Sequence, residues 1–407
     1  MFDLEVSKKR KIFMDYCFSD RVGSLKPSVI REILKYSSDP DVIPFSAGNP
    51  APEAFPIDDV RRITAQIMDT EPIAALQYSI TEGYMPLRHA VLDYVSSRHG
   101  IDTTENKTII TAGAQQVMEL SAKSLCNEGD TVICEAPTFI GTLNAFRSYR
   151  LNLVGVPMES DGIDTDKLET ALKTNKNVRF IYVIPNFQNP SGITMSAEKR
   201  KRVYELACRY DTIIIEDDPY GELRFAGEYI PPIKSLDSDG RVIYVGSFSK
   251  VLSPGLRVGY AVAHPTLLSK LTVCKQVSDV HTAILPQMIA YKFMSECDFL
   301  SHIEKIRKIY RKKAKLMMNL ADELFDGRIT YEKVSGGLFL WCTLPKTADM
   351  MQFCRDALER KTAVVPGNAF LVDEKDNCSS IRLNYSTPTD EQIEKGMRAL
   401  GELSKNL

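Results

Sequence analysis

The sequence has little Trp (one residue) and little His (five), and it contains no Cys-x-x-Cys pair. It also lacks any apolar run of the roughly 18 residues that a membrane-crossing helix needs. Five scattered His and nine Cys, an odd number without ligand spacing, argue against a zinc site, any other metal site or a disulfide framework. A reducing compartment, the cytoplasm, is then the default. The first 20 residues hold no apolar segment followed by a small-residue cleavage site, so no secretory signal is expected. Charge of one sign is missing too. Lys plus Arg number 51, Asp plus Glu 53, and the net charge is −2. That balance argues against nucleic-acid binding, which needs a basic footprint.

What is present is an ordinary globular mix, 44% hydrophobic and 26% charged over 407 residues. Such a length suggests two or three domains at roughly 100–200 residues each, with a large core. The first 50 residues end in Pro44-Phe45-Ser46-Ala47-Gly48-Asn49-Pro50, a loop-like density of Gly, Asn and Pro. Short apolar runs follow at 108–111, 131–134, 151–156, 178–184, 212–215, 242–245 and 258–262. Several are nearly continuous in Val, Ile and Tyr, as strands covered on both faces should be. Helical patterns separate them, among them 197–210 with Ser196 as N-cap. The alternation predicts an α/β fold: a mostly parallel, seven-stranded sheet flanked by helices. After about residue 282 the pattern changes. One long helix is expected over 299–325, then a break at Gly336-Gly337 and a strand, in a smaller α+β C-terminal domain. The expected division is an N-terminal arm at 1–50 packing with the small domain, a large domain at 51–285 and a small domain at 286–407.

In a parallel sheet, ligands bind beyond the carboxyl ends of the strands. Four run ends here carry polar clusters: Ala112-Gly113-Ala114-Gln115, Asn186 to Gly192, Glu216-Asp217-Asp218-Pro219-Tyr220, and Ser247-Phe248-Ser249-Lys250. A lysine at a strand end can be desolvated, which lowers its pKa and makes it a Schiff-base nucleophile. Alone, Lys250 reads as well as an ordinary surface lysine. Ser247, Ser249 and the later Arg257 change that, because hydroxyls and a guanidinium can hold a phosphate dianion. Gly113-Ala114-Gln115 offers backbone N–H groups at a helix start, or simply a turn. Asp217 can keep a pyridine nitrogen protonated, or cap a loop. Asn189 and Tyr220 can bond a ring oxygen, and Phe139 can stack on a flat ring or pack in the core. Dinucleotide, P-loop and serine-hydrolase motifs are absent.

In chain order, Asn189-Pro190-Ser191-Gly192, Asp217-x-x-Tyr220, Ser247-x-Ser249-Lys250 and Arg257 resemble the fold type I pyridoxal-phosphate aminotransferases of class I/II. Leu76-Gln77-Tyr78, Ala136-Pro137-Thr138-Phe139, Pro366-Gly367-Asn368-Ala369-Phe370 and Ile381-Arg382-Leu383-Asn384 look like the kynurenine/2-aminoadipate branch. The resemblance runs from Gly48 to Arg382. It implies that Lys250 binds pyridoxal 5'-phosphate covalently and shuttles the α-proton, with Asp217 at the ring nitrogen. Asn189 and Tyr220 would meet the ring oxygen. Gly113, Ala114, Gln115, Ser247, Ser249 and Arg257 would hold the phosphate, and Phe139, where relatives often have Tyr, would stack on the ring. Arg382 would take the substrate α-carboxylate, with Gly48 and Asn189 also at the substrate. Tyr78 would reach the neighbouring subunit's phosphate, implying a homodimer with shared sites. The side-chain pocket is expected to be largely apolar, formed by the Gly48 segment, Phe339 and Tyr78, with Arg21 or Arg31 available to an acidic side chain. The implied reaction moves an amino group from an aromatic, aliphatic or 2-aminoadipate-like L-amino acid to a 2-oxo acid such as 2-oxoglutarate. A β-lyase, epimerase or cyclase would share the same cofactor grip. A regulator's cofactor-binding domain would need a DNA-binding domain ahead of Gly48, where fewer than 50 residues stand.

Overall fold

The structure, a computed structural model, describes residues 16–19, 21, 39 and 41–407. Most of the expected N-terminal arm, Arg31 included, lies outside the described residues. All seven apolar runs are strands: β1 (Lys107–Thr111), β2 (Thr131–Ala136), β3 (Asn152–Glu159), β5 (Val178–Val183), β6 (Ile213–Asp217), β7 (Val242–Ser247) and β8 (Gly259–Ala263). The sheet has eight strands rather than seven. The extra one, β4, is the two-residue Gly162–Ile163, which turns back antiparallel on β3. The order across the sheet is β1-β8-β7-β6-β5-β2-β3-β4. β2, β3, β5, β6 and β7 form the parallel ladder, while β8 runs antiparallel to both neighbours.

Alternation along the strands explains their apolar character, since successive side chains point to opposite faces. Ile133, Ile181, Ile214 and Val242 bury into one cluster with Leu168 and Val203, from helices Thr165–Thr174 and Ala197–Arg209. Val132, Phe180, Tyr182, Ile215 and Ile243 bury into the other, with helices Ile57–Thr70, Met85–His99 and Ala114–Leu125. With both faces covered, the strands need no polar side. Ser196 caps its helix as expected, accepting from Lys199 N at 3.3 Å.

The long helix spans Phe299–Phe325, begun by Asp298 accepting from Ser301 N at 2.9 Å and ended by Asp326 in the left-handed region. Beyond it lies a four-stranded antiparallel sheet, ordered β11 (Val365–Pro366), β12 (Ser380–Asn384), β10 (Phe339–Thr343), β9 (Thr330–Tyr331). Helices Met350–Glu359 and Asp390–Ser404 complete this smaller α+β part. Helix Ile284–Glu296 packs against Ile57–Thr70 and Met85–His99. Residues 43–45 lie along the small sheet: Ile43 N donates to Lys361 O at 2.7 Å, and Asn384 N to Phe45 O at 2.8 Å.

Candidate active site

The C-terminal ends of the parallel strands and β12 of the small sheet meet in a cleft of about 510 Å³. Of the residues singled out from sequence, thirteen line it: Gly48, Ala114, Gln115, Phe139, Asn189, Asp217, Tyr220, Ser247, Ser249, Lys250, Arg257, Phe339 and Arg382. Gly113 lies just beneath. Its φ is +77°, and an added Cβ would stand 2.5 Å from Arg257 Nη2, so only Gly lets that guanidinium settle. Tyr78 is not in the cleft wall. It stands 82% exposed on the surface, edge-on to His281 with ring centroids 5.8 Å apart. Arg21 is exposed.

Lys250 reaches from the end of β7 to donate from Nζ to Gly48 O at 2.7 Å. Burial brings its pKa down to about 8, and the nearby Arg382 and Arg257 charges push the same way. At the end of β6, Asp217 is held by Tyr182, whose hydroxyl donates to Oδ2 at 2.8 Å. The Tyr182 hydroxyl in turn accepts from Thr142 Oγ1 at 3.1 Å. Burial lifts Asp217 to about 7; the Tyr182 bond opposes this and Asp218 adds to it. Asp217 Oδ1 is buried without a hydrogen-bond partner among the described residues. An orphaned carboxylate oxygen inside a protein is costly unless a donor meets it.

Arg382 is 4% exposed. Nη1 donates to Asn189 Oδ1 at 3.0 Å, and Nη2 to Ser46 O at 2.9 Å. Its carbon Cζ lies 4.2 Å from the Phe339 ring centroid and 5.0 Å from that of Phe370. Burial lowers its pKa to about 10, which still leaves it charged at neutral pH, and Nε has no partner among the described residues. Asn189 also donates to the Tyr220 hydroxyl at 3.2 Å, so one chain of bonds links Arg382, Asn189 and Tyr220. On the far side, Ser247 Oγ donates to Ser249 Oγ at 2.9 Å, and Arg257 Nη2 to Ala112 O at 3.0 Å. The adjoining helix Ala114–Leu125 has no side-chain cap among the described residues; Gln116 N turns back to Gly113 O at 3.3 Å, and the N–H groups of Ala114 and Gln115 stay available to an anion.

These donors fit a phosphorylated pyridine. A helix start, two hydroxyls and a guanidinium suit the phosphate, and the orphaned Asp217 oxygen suits a protonated ring nitrogen. A desolvated amine suits the carbonyl. The comparisons agree. The family model for aminotransferase class I and II matches residues 40–400. This chain belongs to the class I and II aminotransferases.

An aromatic-amino-acid aminotransferase of Thermococcus litoralis is 38% identical over 99% of both chains. The solved kynurenine aminotransferase of Pyrococcus horikoshii superposes with a TM-score of 0.92 at 37% identity, covering 96% of this chain and 97% of that one. The α-aminoadipate aminotransferase of Thermus thermophilus, complexed with N-(5'-phosphopyridoxyl)-L-leucine, gives 0.87 at 38% identity over the same shares. The aminotransferase is therefore a fold type I enzyme dependent on pyridoxal 5'-phosphate.

The cofactor, when bound, withdraws electrons from the substrate α-carbon. The chain's residues do the rest. Among the described residues, Lys250 Nζ is the one amine in the cleft wall and the group suited to move the α-proton. Asp217 would set its carboxylate against the ring nitrogen, with the Tyr182 hydroxyl, itself bonded by Thr142, holding its orientation. Those two residues were missed from sequence, as was Phe370 as a wall of Arg382. Replacing Asp217 with Asn should keep the cofactor bound while cutting kcat about 10²–10³-fold, the scale of a lost electrostatic contact in a dry site. Absorbance of the bound cofactor and kcat on one preparation check this; kcat within about threefold of wild type would remove the role.

Proposed function

We propose that the enzyme transfers the amino group of aromatic, long aliphatic or 2-aminoadipate-like L-amino acids to 2-oxoglutarate. The observation that carries this reading is the setting of Arg382. A buried guanidinium whose Nε has no partner among the described residues stands against Phe339, in a wall that also includes Met118, Ile140 and Ile184. A cation for the α-carboxylate beside apolar surface suits a donor with a bulky side chain. The names of the T. litoralis, P. horikoshii and T. thermophilus relatives support the same classes. The assignments of Lys250, Asp217, Tyr220 and Arg382 to the chemistry, and of the other cleft residues to the cofactor, are part of this proposal. A donor panel with 2-oxoglutarate tests it. Phenylalanine, kynurenine, leucine and 2-aminoadipate should exceed alanine and aspartate in kcat/KM by about tenfold or more, as burial of several methylene groups would allow. Aspartate as the best donor would overturn it.

We further propose a cytoplasmic homodimer with shared sites, and domain divisions near residues 50 and 285. No described helix is long and apolar enough to cross a membrane. The nine cysteines are all free, in keeping with a reducing compartment. Ile73, Leu76, Tyr78, Val273, Val277 and Val280 are large apolar side chains left 51–82% exposed. The Tyr78–His281 contact brings the two stretches together, and an exposed apolar surface of this kind marks an interface. If Tyr78 serves the partner's site, a hybrid of Lys250→Ala and Tyr78→Ala chains collects both defects in one site and leaves the other intact. Such a hybrid should recover about half of wild-type activity per dimer, by that counting of sites. A hybrid no more active than its parents, with mixing verified by mass, would count against sharing.

A further inference from the structure

The segment after Tyr220 and the helix Phe299–Phe325 enclose a second cleft of about 270 Å³, which shares no lining residue with the active site. Its charged lining is Arg98, Arg224, Arg307 and Arg311 against Glu222 and Glu304. Arg307 is matched: Nη2 donates to Glu222 Oε2 at 3.0 Å, and Nη1 pairs with Glu304. Arg98 comes no nearer than 3.9 Å to Glu222. Arg224 and Arg311 form no ion pair among the described residues. Arg224 gives Nη2 to Asn186 Oδ1 at 3.3 Å and stacks over Phe187 at 4.7 Å. Arg311 gives Nε to Phe225 O at 2.9 Å. Each keeps Nη1 without an acceptor among the described residues.

Two guanidinium groups without acid partners, converging on one concave surface, repel each other and attract an anion. The Arg224 stack and the Arg311 carbonyl bond hold both forks in place in advance, which lowers the cost of ordering them on binding. Four arginines against two glutamates leave a surplus of two positive charges. A phosphoryl dianion matches that surplus and has three acceptor oxygens for the free N–H groups. We propose that this cleft binds a phosphoryl group, either free phosphate or the phosphate of a small metabolite, at a site separate from the cofactor's. Its position is close to the working parts. Phe225 N and Ala226 N both donate to Ser335 O, at 2.9 and 3.1 Å, immediately before the Gly336-Gly337 break that leads to Phe339.

The test is calorimetric titration of the cofactor-loaded enzyme with inorganic phosphate, with ionic strength held constant by chloride. The cofactor then fills the Ser247-Ser249-Arg257 cradle. Saturable binding is expected, weakened at least about tenfold by Arg311→Gln, an exposed position, and tightened by Glu304→Gln, which removes an opposing charge. A parallel titration with glycerol 3-phosphate separates the sources: tighter binding than phosphate points to a metabolite, equal or weaker binding to the free ion. Absence of saturable heat would overturn the proposal, as would equal affinity in Arg311→Gln, succinate binding as tightly as phosphate, or loss of binding in Arg382→Lys alone.

Discussion

Replacing Lys250 with Ala should lower amino transfer by about 10⁴-fold, the upper range for removing a proton-transfer group that also acts as nucleophile. The geometry explains why no neighbour substitutes. The other cations of the cleft wall are Arg257 and Arg382, and a guanidinium does not give up its proton to become a base. Lys250 is different because burial and those two arginines already weaken its hold on the proton, bringing its pKa down to about 8 from the ordinary lysine value. The sign of the pH dependence follows. Below about pH 8 the folded protein carries the ammonium, which is no nucleophile; above it the free amine dominates. Capture of pyridoxal 5'-phosphate by the cofactor-free protein should therefore accelerate as pH rises through about 8 and then level off. Stopped-flow absorbance measures this, and a midpoint near the ordinary lysine value would refute the desolvation argument. Borohydride treatment of the loaded wild type should place the label on the peptide containing Lys250. Mapping of the label to another lysine would remove the residue from its role.

The long elements were legible in the sequence for physical reasons. Strands covered on both faces must be apolar throughout, so β2, β5, β6 and β7 stood out as Val- and Ile-rich runs. The 27-residue helix Phe299–Phe325 kept its apolar stripe from end to end. β4 was not legible, because two residues, the first a Gly at φ +125°, carry no periodicity. The cleft residues were found because strand ends concentrate polar groups and because their order matched a family. Tyr182 escaped for the opposite reason. It looks like any aromatic in a buried strand, alternating with Phe180 on one face. Only the register reveals it: Tyr182 pairs with Ile215, two residues before Asp217 on the adjacent strand. Adjacency of β5 to β6 is a property of the sheet order, which no local pattern encodes. Phe370 had been noted within a motif, yet its packing on Arg382 depends on β11 and β12 lying side by side.

Arg382→Lys should reduce kcat/KM about 10²–10³-fold for every amino donor, although it preserves charge. The loss corresponds to roughly 3–4 kcal/mol, within the range for a buried charge that loses its hydrogen-bonded pairing. The guanidinium is committed on several sides at once. It bonds Asn189 Oδ1, Ser46 O and Ala47 O, and it is sandwiched between Phe339 and Phe370. The Nε left over in that arrangement is the donor that a carboxylate would satisfy. A lysine ammonium has three donors on one atom and no planar face. It cannot serve the Ser46 and Asn189 sides and the substrate together, nor stack between two rings. Asn189 would lose its anchor, and through the 3.2 Å bond to Tyr220 the disturbance reaches the cofactor side of the cleft. Because every donor presents the same α-carboxylate, the loss should be uniform across phenylalanine, leucine and 2-aminoadipate. Measuring kcat/KM for that panel decides the matter: a loss confined to the dicarboxylic donor would mean that Arg382 reads the side chain, and a uniform loss below about threefold would mean that its charge, rather than its fork, is what the substrate meets.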